Sequence, residues 1–246
     1  MKIAVQLYNF REGLARDFQG TLRKIASIGF DGVEFAGDYG NFSPVALADM
    51  LRECGLECAG TMFGVEPLKN ANDGAYEYAV ALHSPAVTVS WRCDFASMYS
   101  TVAETFSRIG DNAARHGLPF SYHNHWWEFV KVGKKTAMEI IMETTDPCKV
   151  LLEPDVCWLH RAGVDPAGYL EKYRDRIAQV HLKDILVPDD PSTTVELGRG
   201  VIGIADIVKK ISTLPLCQWA IYEQDTVSDP FRSAAESLEF LRKVIK

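Results

Sequence analysis

The densest run of ligand chemistry in the chain is Phe120-Ser121-Tyr122-His123-Asn124-His125-Trp126-Trp127-Glu128-Phe129. Successive strand side chains alternate faces, so on a strand His123 and His125 project to one side. Three of the four residues after His125 are aromatic and the fourth is a carboxylate. Imidazoles and carboxylates are the groups that move protons near neutrality and bind divalent cations. Three later stretches carry the same groups behind an apolar run: Leu151-Leu152-Glu153-Pro154-Asp155, Val180-His181-Leu182-Lys183-Asp184, and Ala220-Ile221-Tyr222-Glu223-Gln224-Asp225.

The elements that must position these groups alternate along the chain. Short β-branched and apolar runs fall at 3–8, 32–35, 57–62, 86–91, 120–129, 149–156, 177–184 and 219–223. Between and after them lie segments of helical period at about 17–28, 44–54, 73–82, 97–116, 136–143, 166–173, 204–211 and 229–245. Asp17 and Ser43 are placed as N-caps, Pro44 sits in a first turn, and Gly29 and Gly117 are stops. Strands so alternated require right-handed crossovers and a parallel sheet. Eight units over 246 residues, about 31 residues each, predict one closed (β/α)8 barrel spanning residues 1–246. An open doubly wound sheet would carry a glycine fingerprint after its first strand, and Tyr8-Asn9-Phe10-Arg11-Glu12 has none.

Composition narrows the function classes. The chain is 47% hydrophobic and 24% charged, the balance of a globular protein, with no apolar stretch long enough to span a membrane. Its start, interrupted by Gln6, Asn9, Arg11 and Glu12, reads as a strand rather than a signal peptide, so a cytoplasmic location is the expectation. The six cysteines form no CxxC pair and are expected as reduced thiols. A formal net charge of −7 without a basic run disfavours a nucleic-acid partner. The oligomeric state is not legible, although barrels of this kind often form homo-oligomers.

In a (β/α)8 barrel, functional groups sit at the C-terminal ends of the strands. Strands five to eight all end in imidazole or carboxylate groups. Each has an ordinary explanation alone: a hydrogen-bonded core histidine, a loop cap at Asp155, a solvated turn at Glu223, a surface ion pair at Lys183-Asp184. Together they pose a desolvation cost of several kcal/mol per ion, which one divalent cation compensates. Mixed nitrogen and oxygen ligands suit Mn²⁺, Zn²⁺ or Co²⁺ better than Mg²⁺ or Ca²⁺. Strand alternation would put one of Trp126 and Trp127 in the core and the other over the pocket. With Tyr8, Trp91 and Trp158 it would line a partly aromatic cleft suited to a sugar ring. Gly198-Arg199-Gly200 suggests close backbone approach or a mobile cover, with Arg199 either reaching substrate or merely exposed; the ending of a P-loop is absent.

With those residues in view, the chain resembles the sugar phosphate isomerase/epimerase superfamily of xylose isomerase-like TIM barrels, relatives of inosose dehydratases and ketose 3-epimerases. The resemblance rests on Tyr122-His123-Asn124-His125 with Glu128-Phe129, Asp155-Val156-Cys157-Trp158, His181-Leu182-Lys183-Asp184, Gly198-Arg199-Gly200 and Glu223-Gln224-Asp225. It implies one divalent metal held by Asp155, His181 and Glu223. The fourth ligand, a Glu on strand five in the epimerases, is here either His123 in its place, the favoured reading, or Glu128 folded back from the loop.

The resemblance further implies proton abstraction next to a carbonyl through a metal-stabilised enediolate, with a sugar, sugar phosphate or cyclitol as substrate. Glu223 would act on one face of the carbon and His125 or Glu128 on the other, with Lys183 stabilising oxyanion charge. Isomerisation or epimerisation is the leading outcome. Elimination at the same site, as in a keto-inositol dehydratase or a 3-keto-glycoside lyase, is the alternative. Readings from other classes are an abasic-site nuclease, which needs a metal cluster and would have to recruit histidines such as His83 and His116 that lie on or beside helices, and a non-catalytic sugar-binding barrel.

Overall fold

The chain alternates strands and helices throughout, and in the computed structural model, which describes residues 1–245, the strands run parallel around a common axis. They are β1 (Lys2–Gln6), β2 (Gly32–Ala36), β3 (Glu57–Phe63), β4 (Val87–Val89), β5 (Phe120–His123), β6 (Val150–Glu153), β7 (Gln179–Leu182) and β8 (Trp219–Tyr222). Neighbours in sequence are neighbours in the sheet, and β8 pairs with β1. Between β6 and β7 the ladder reduces to bridges at Leu152–Ile177 and Asp155–His181, where the amides of Ala178 and His181 donate to the carbonyls of Leu152 and Pro154, each at 2.9 Å. These bridges close the barrel and fix Asp155 level with His181.

The outer ring consists of α1 (Phe18–Ile28), α2 (Pro44–Cys54), α3 (Gly74–Ala81), α4 (Phe95–Arg115), α5 (Ala137–Thr144), α6 (Pro166–Lys172), α7 (Ile204–Ile211) and α8 (Pro230–Val244). Seven start on an Asp, Ser or Thr whose side chain accepts from an amide of the first turn, at Asp17, Ser43, Asp73, Asp94, Thr136, Asp165 and Asp229. α1 and α2 end at Gly29 and Gly55, whose φ of 103° and 69° lie in the left-handed region. The sequence-derived helix bounds hold to within about two residues. The strands expected at 3–8, 86–91, 149–156 and 177–184 end two or three residues early, and the largest departure is the fifth. It stops at His123, and Trp127–Phe129 forms a 3-10 turn, so strand alternation does not govern Trp126 and Trp127.

Period two along the strands separates two environments. Val5, Val33, Phe35, Val87, Phe120, Tyr122, Leu152, Val180, Leu182 and Tyr222 join the core against the helices. Inside the barrel, Ala4, Ala59, Trp219 and Ile221 form a separate apolar floor. Gly32 has no Cβ because one would meet the Trp219 ring at 2.8 Å. Above that floor, Gln6, Glu34, Thr88, Ser121, Glu153, Gln179 and His181 are all buried. A polar interior of this kind is stable only when its groups find partners.

The junction after β5 is braced from outside by a reciprocal capping box. Thr136 Oγ1 accepts from the Glu139 amide (3.1 Å), while Glu139 Oε2 accepts from the Thr136 amide (2.8 Å). Lys172 on α6 donates to Glu139 Oε1 at 2.8 Å. These donors hold the Glu139 carboxyl down at about 2, against 4.5 ordinarily. A depressed carboxyl stabilises the fold above its unfolded value and loses that contribution as pH falls toward 2. Solvent screening leaves about 1 kcal/mol of this. Glu139→Gln should therefore unfold at lower urea concentration at pH 7, and its deficit should disappear between pH 4.5 and pH 2.

Candidate metal centre

The C-terminal ends of β5 to β8 bring His123, Asp155, His181 and Glu223 together. Each offers one donor atom, and these atoms lie within 4.8 Å of one another, all four residues being buried. Nδ1 of His181 is 2.9 Å from Glu223 Oε2, and the His123 and His181 rings meet edge to face at 4.5 Å. Asp155 serves two functions. Its Oδ1 caps the short helix Val156–Arg161, accepting from the amides of Cys157 (2.9 Å) and Trp158 (3.0 Å). Its Oδ2 is buried without a hydrogen-bond partner, 3.1 Å from Nζ of Lys183. Asn124 ties the two strand ends, its Oδ1 accepting from the Asp155 amide at 3.2 Å.

Lys183 is the cation of the group. Its Nζ lies 2.9 Å from Asp225 Oδ2, 3.1 Å from Asp155 Oδ2 and 3.2 Å from Glu223 Oε2, and 4.6 Å over the Trp158 ring. Burial opposes its charge, but Asp155, Asp225 and Glu223 more than offset this and keep the ammonium protonated well above the usual lysine range. Burial likewise opposes a charged Glu223, yet Lys183 and His181 hold its carboxyl well below 4.5. Asp225 moves the other way, raised by burial.

The donor set fits a divalent cation. Two imidazoles and two carboxylates suit zinc, manganese or cobalt. Ligand bonds of about 2.0–2.2 Å put tetrahedral donors roughly 3.4 Å apart, which these four reach with small side-chain shifts. The orphaned Oδ2 of Asp155 is the atom that such an ion satisfies.

Residues 22–244 match the family described as the xylose isomerase-like TIM barrel. The chain belongs to this family. Among curated proteins it is 27% identical over 197 residues to an inosose dehydratase of Lactiplantibacillus plantarum, a match covering 70% of this chain and 64% of that protein, so it spans less than two thirds of the relative's length. Among solved structures, a sugar phosphate isomerase/epimerase from Parabacteroides distasonis shares the fold with a TM-score of 0.83 at 21% identity, covering 97% of this chain and 94% of that one. A protein named IOLI, with a bound zinc atom, has a TM-score of 0.76 at 12% identity, covering 100% and 98%.

Several residues singled out by sequence sit elsewhere than expected for this family. Glu128 folds back, but onto its own turn: its Oε1 accepts from the Tyr122 hydroxyl (2.6 Å) and the His125 amide (3.0 Å), and it is not among the four clustered donors. His125 lies between Trp127, at 4.3 Å, and Trp158, at 5.8 Å, with Nδ1 3.2 Å from Ser90 Oγ. Burial, with His123 and Lys183 beside it, lowers the ring to about 2, which favours the neutral imidazole and makes it a weaker base than an ordinary histidine. Arg199 is turned to Glu196 (3.2 Å) and Glu236 (2.7 Å) on the outer surface. The glycines flanking it wrap the buried Asp184 carboxylate, to which the amides of Gly198, Gly200 and Ile202 donate. Close backbone approach therefore explains them.

Trp158 is buried beside Lys183, with its indole N–H unpartnered. Trp126 and Trp127 are half-buried above it, and Arg161 stacks 3.7 Å over Trp126. Tyr8, 44% exposed, stands at the rim under Arg11, which donates to the Asp225 carbonyl. Trp91 uses its carbonyl to hold the Tyr122 hydroxyl and the Trp127 indole. The important omissions are Glu34 and Gln179, and the weight given to Glu153. A signal was present, since each is a polar residue at an inward position of a strand otherwise made of core residues.

Glu128 yields a test of opposite signs. Burial raises its carboxyl to about 7 from 4.5. Folding then takes up a proton between these values, so the wild type loses stability as pH rises through them. The shift corresponds to about 3 kcal/mol. In urea titrations, Glu128→Gln should gain on the wild type by up to that amount between pH 4 and pH 8. A gap moving the other way identifies an ionised Glu128 stabilised by a cation, which is the ligand role.

Proposed function

We propose that this chain is a divalent-metal-dependent enzyme that removes a proton next to the carbonyl of a keto-sugar or keto-cyclitol and expels a β-hydroxyl as water. His123, Asp155, His181 and Glu223 would hold the ion, which supplies a Lewis acid for the substrate oxygen where negative charge develops. The zinc in the IOLI protein and the dehydratase activity named for the Lactiplantibacillus relative support this reading.

The carrying observation is the asymmetry of the mouth. On the β7–β8 side, Glu223, Lys183 and Asp225 make contacts of 3.2 Å or less. On the β5 side, His125 is a weak base, its ring lowered to about 2, and Glu128 is tied to its own turn through Oε1. Epimerisation needs a proton carrier on each face of one carbon, whereas elimination needs a base and an acid that can serve from the same side. Glu223 takes the proton from carbon. Its electron pair forms the new carbon–carbon double bond, the β-carbon–oxygen bond breaks, and Lys183 delivers the proton with which the hydroxyl leaves as water. The proton held by Glu223 then passes to Lys183, 3.2 Å away, which restores both groups to their starting forms, with Asp225 favouring the charged ammonium. Trp158 and Trp126 supply an apolar wall for a ring substrate.

Zinc- or manganese-loaded protein, incubated in D2O with keto-inositols and ketoses, should release water from at least one keto-cyclitol and form an unsaturated product. Lys183→Met should lower kcat by about 10²–10³-fold while still binding metal, and Glu223→Gln should abolish turnover and weaken metal binding. Deuterium appearing in an inverted, still hydroxylated product would instead support epimerisation. No exchange into any of them would remove the proton-transfer reading.

A further inference from the structure

Beneath the four clustered donors lies a second group, Glu34, Glu153 and His181, all fully buried and with donor atoms within 4.8 Å of one another. Its hydrogen bonding is the opposite of that at Asp155. Glu34 Oε1 accepts from Gln179 Nε2 (2.9 Å), and Oε2 faces Gln6 Nε2 (2.7 Å) and His181 Nε2 (2.6 Å). Glu153 Oε1 is 3.1 Å from His123 Nδ1 and 3.1 Å from His181 Nε2. Its Oε2 accepts from Gln179 and from the Thr88 hydroxyl (3.3 Å). All four carboxylate oxygens are therefore served by protein donors, and none is left for an ion. Gly60 belongs to the arrangement, because a Cβ there would run into Glu34 Oε1 and Gln179 Nε2.

An imidazole presents one nitrogen as ligand only when the other carries the proton, and the group that accepts this proton selects the tautomer and fixes the ring plane. We propose that Glu153 and Glu34 are the positioning residues of the centre. Glu153 accepts from Nδ1–H of His123 and Glu34 from Nε2–H of His181, which leaves His123 Nε2 and His181 Nδ1 for a single ion. Without an ion, His181 Nδ1 and Glu223 Oε2 share a proton across a 2.9 Å hydrogen bond, and a bound cation would take the place of that proton. Glu153 touches both imidazoles and Glu34 only one, so the two are unequal. β2 and β6, on different sides of the barrel, thus both set the orientation of ligands on β5 and β7. This inference rests on the metal-centre reading above.

Zinc and cobalt affinities, measured by chelator competition on wild type, Glu153→Gln and Glu34→Gln, test it, with thermal melts of each metal-free protein as the folding control. Affinity should fall about 10–100-fold, more for Glu153→Gln than for Glu34→Gln, with one ion per chain in the wild type. Nitrogen-15 imidazole spectra of the zinc-loaded wild type need no variant. They should show His123 protonated at Nδ1 and His181 at Nε2. Affinities within twofold of wild type in both variants, the opposite tautomers, or a second ion per chain would each overturn the proposal. A wild type that takes up no ion removes the metal reading itself, whereas normal wild-type binding with unaffected variants removes only the role of Glu34 and Glu153.

Discussion

Charge held out of water inside a barrel is the constraint around which this molecule is arranged. Glu34, Glu153, Asp155 and Glu223 are almost wholly buried within a ring of strands whose outer face is apolar. Isolated ions at such positions would cost several kcal/mol each. The lower pair is relieved by amides, a hydroxyl and two imidazoles. The upper pair is relieved only in part, by Lys183, a helix start and His181, and an oxygen of Asp155 remains without a hydrogen bond. The difference between the two layers marks where a cation belongs.

The fold serves this arrangement through strand periodicity and closure. Alternation sends one set of side chains to the helices and the other to the interior, so the apolar core and the polar interior are built from the same strands without mixing. Trp219 fills the floor, and the bridge between Asp155 and His181 sets the height of two of the donors. The outer helices carry little chemistry. Their caps and the loops wrapped on Asp184 hold the strand ends in register, which matters because ligand geometry tolerates errors of only a few tenths of an ångström.

Much of this was legible in the sequence because it depends on local patterns. Eight alternating units, their caps and the residues at the ends of strands five to eight follow from periodicity and from the rule that barrel sites lie at strand ends. What was not legible depends on chain reversal and on neighbours distant in sequence. The turn after His123 breaks the strand, so Trp126, Trp127 and Glu128 could not be assigned faces by counting. The protonation of His125 depends on burial against aromatic rings from two loops and on Lys183, which comes from the end of β7. Arg199 looked available because its partner Glu236 lies 37 positions away on the last helix. Glu34 was passed over because it lies in a short core strand with no neighbouring ligand residue, and only the closed barrel brings it to His181.

The central claim is that one ion sits among four side chains drawn from four successive strand ends. Anomalous diffraction at the metal absorption edge, from crystals loaded with zinc or manganese, tests it most directly. The account predicts one peak per chain, about 2.0–2.3 Å from His123 Nε2, Asp155 Oδ2, His181 Nδ1 and a Glu223 oxygen. No peak there, a peak between Glu34 and Glu153, or an ion that takes Glu128 in place of His123 would contradict it.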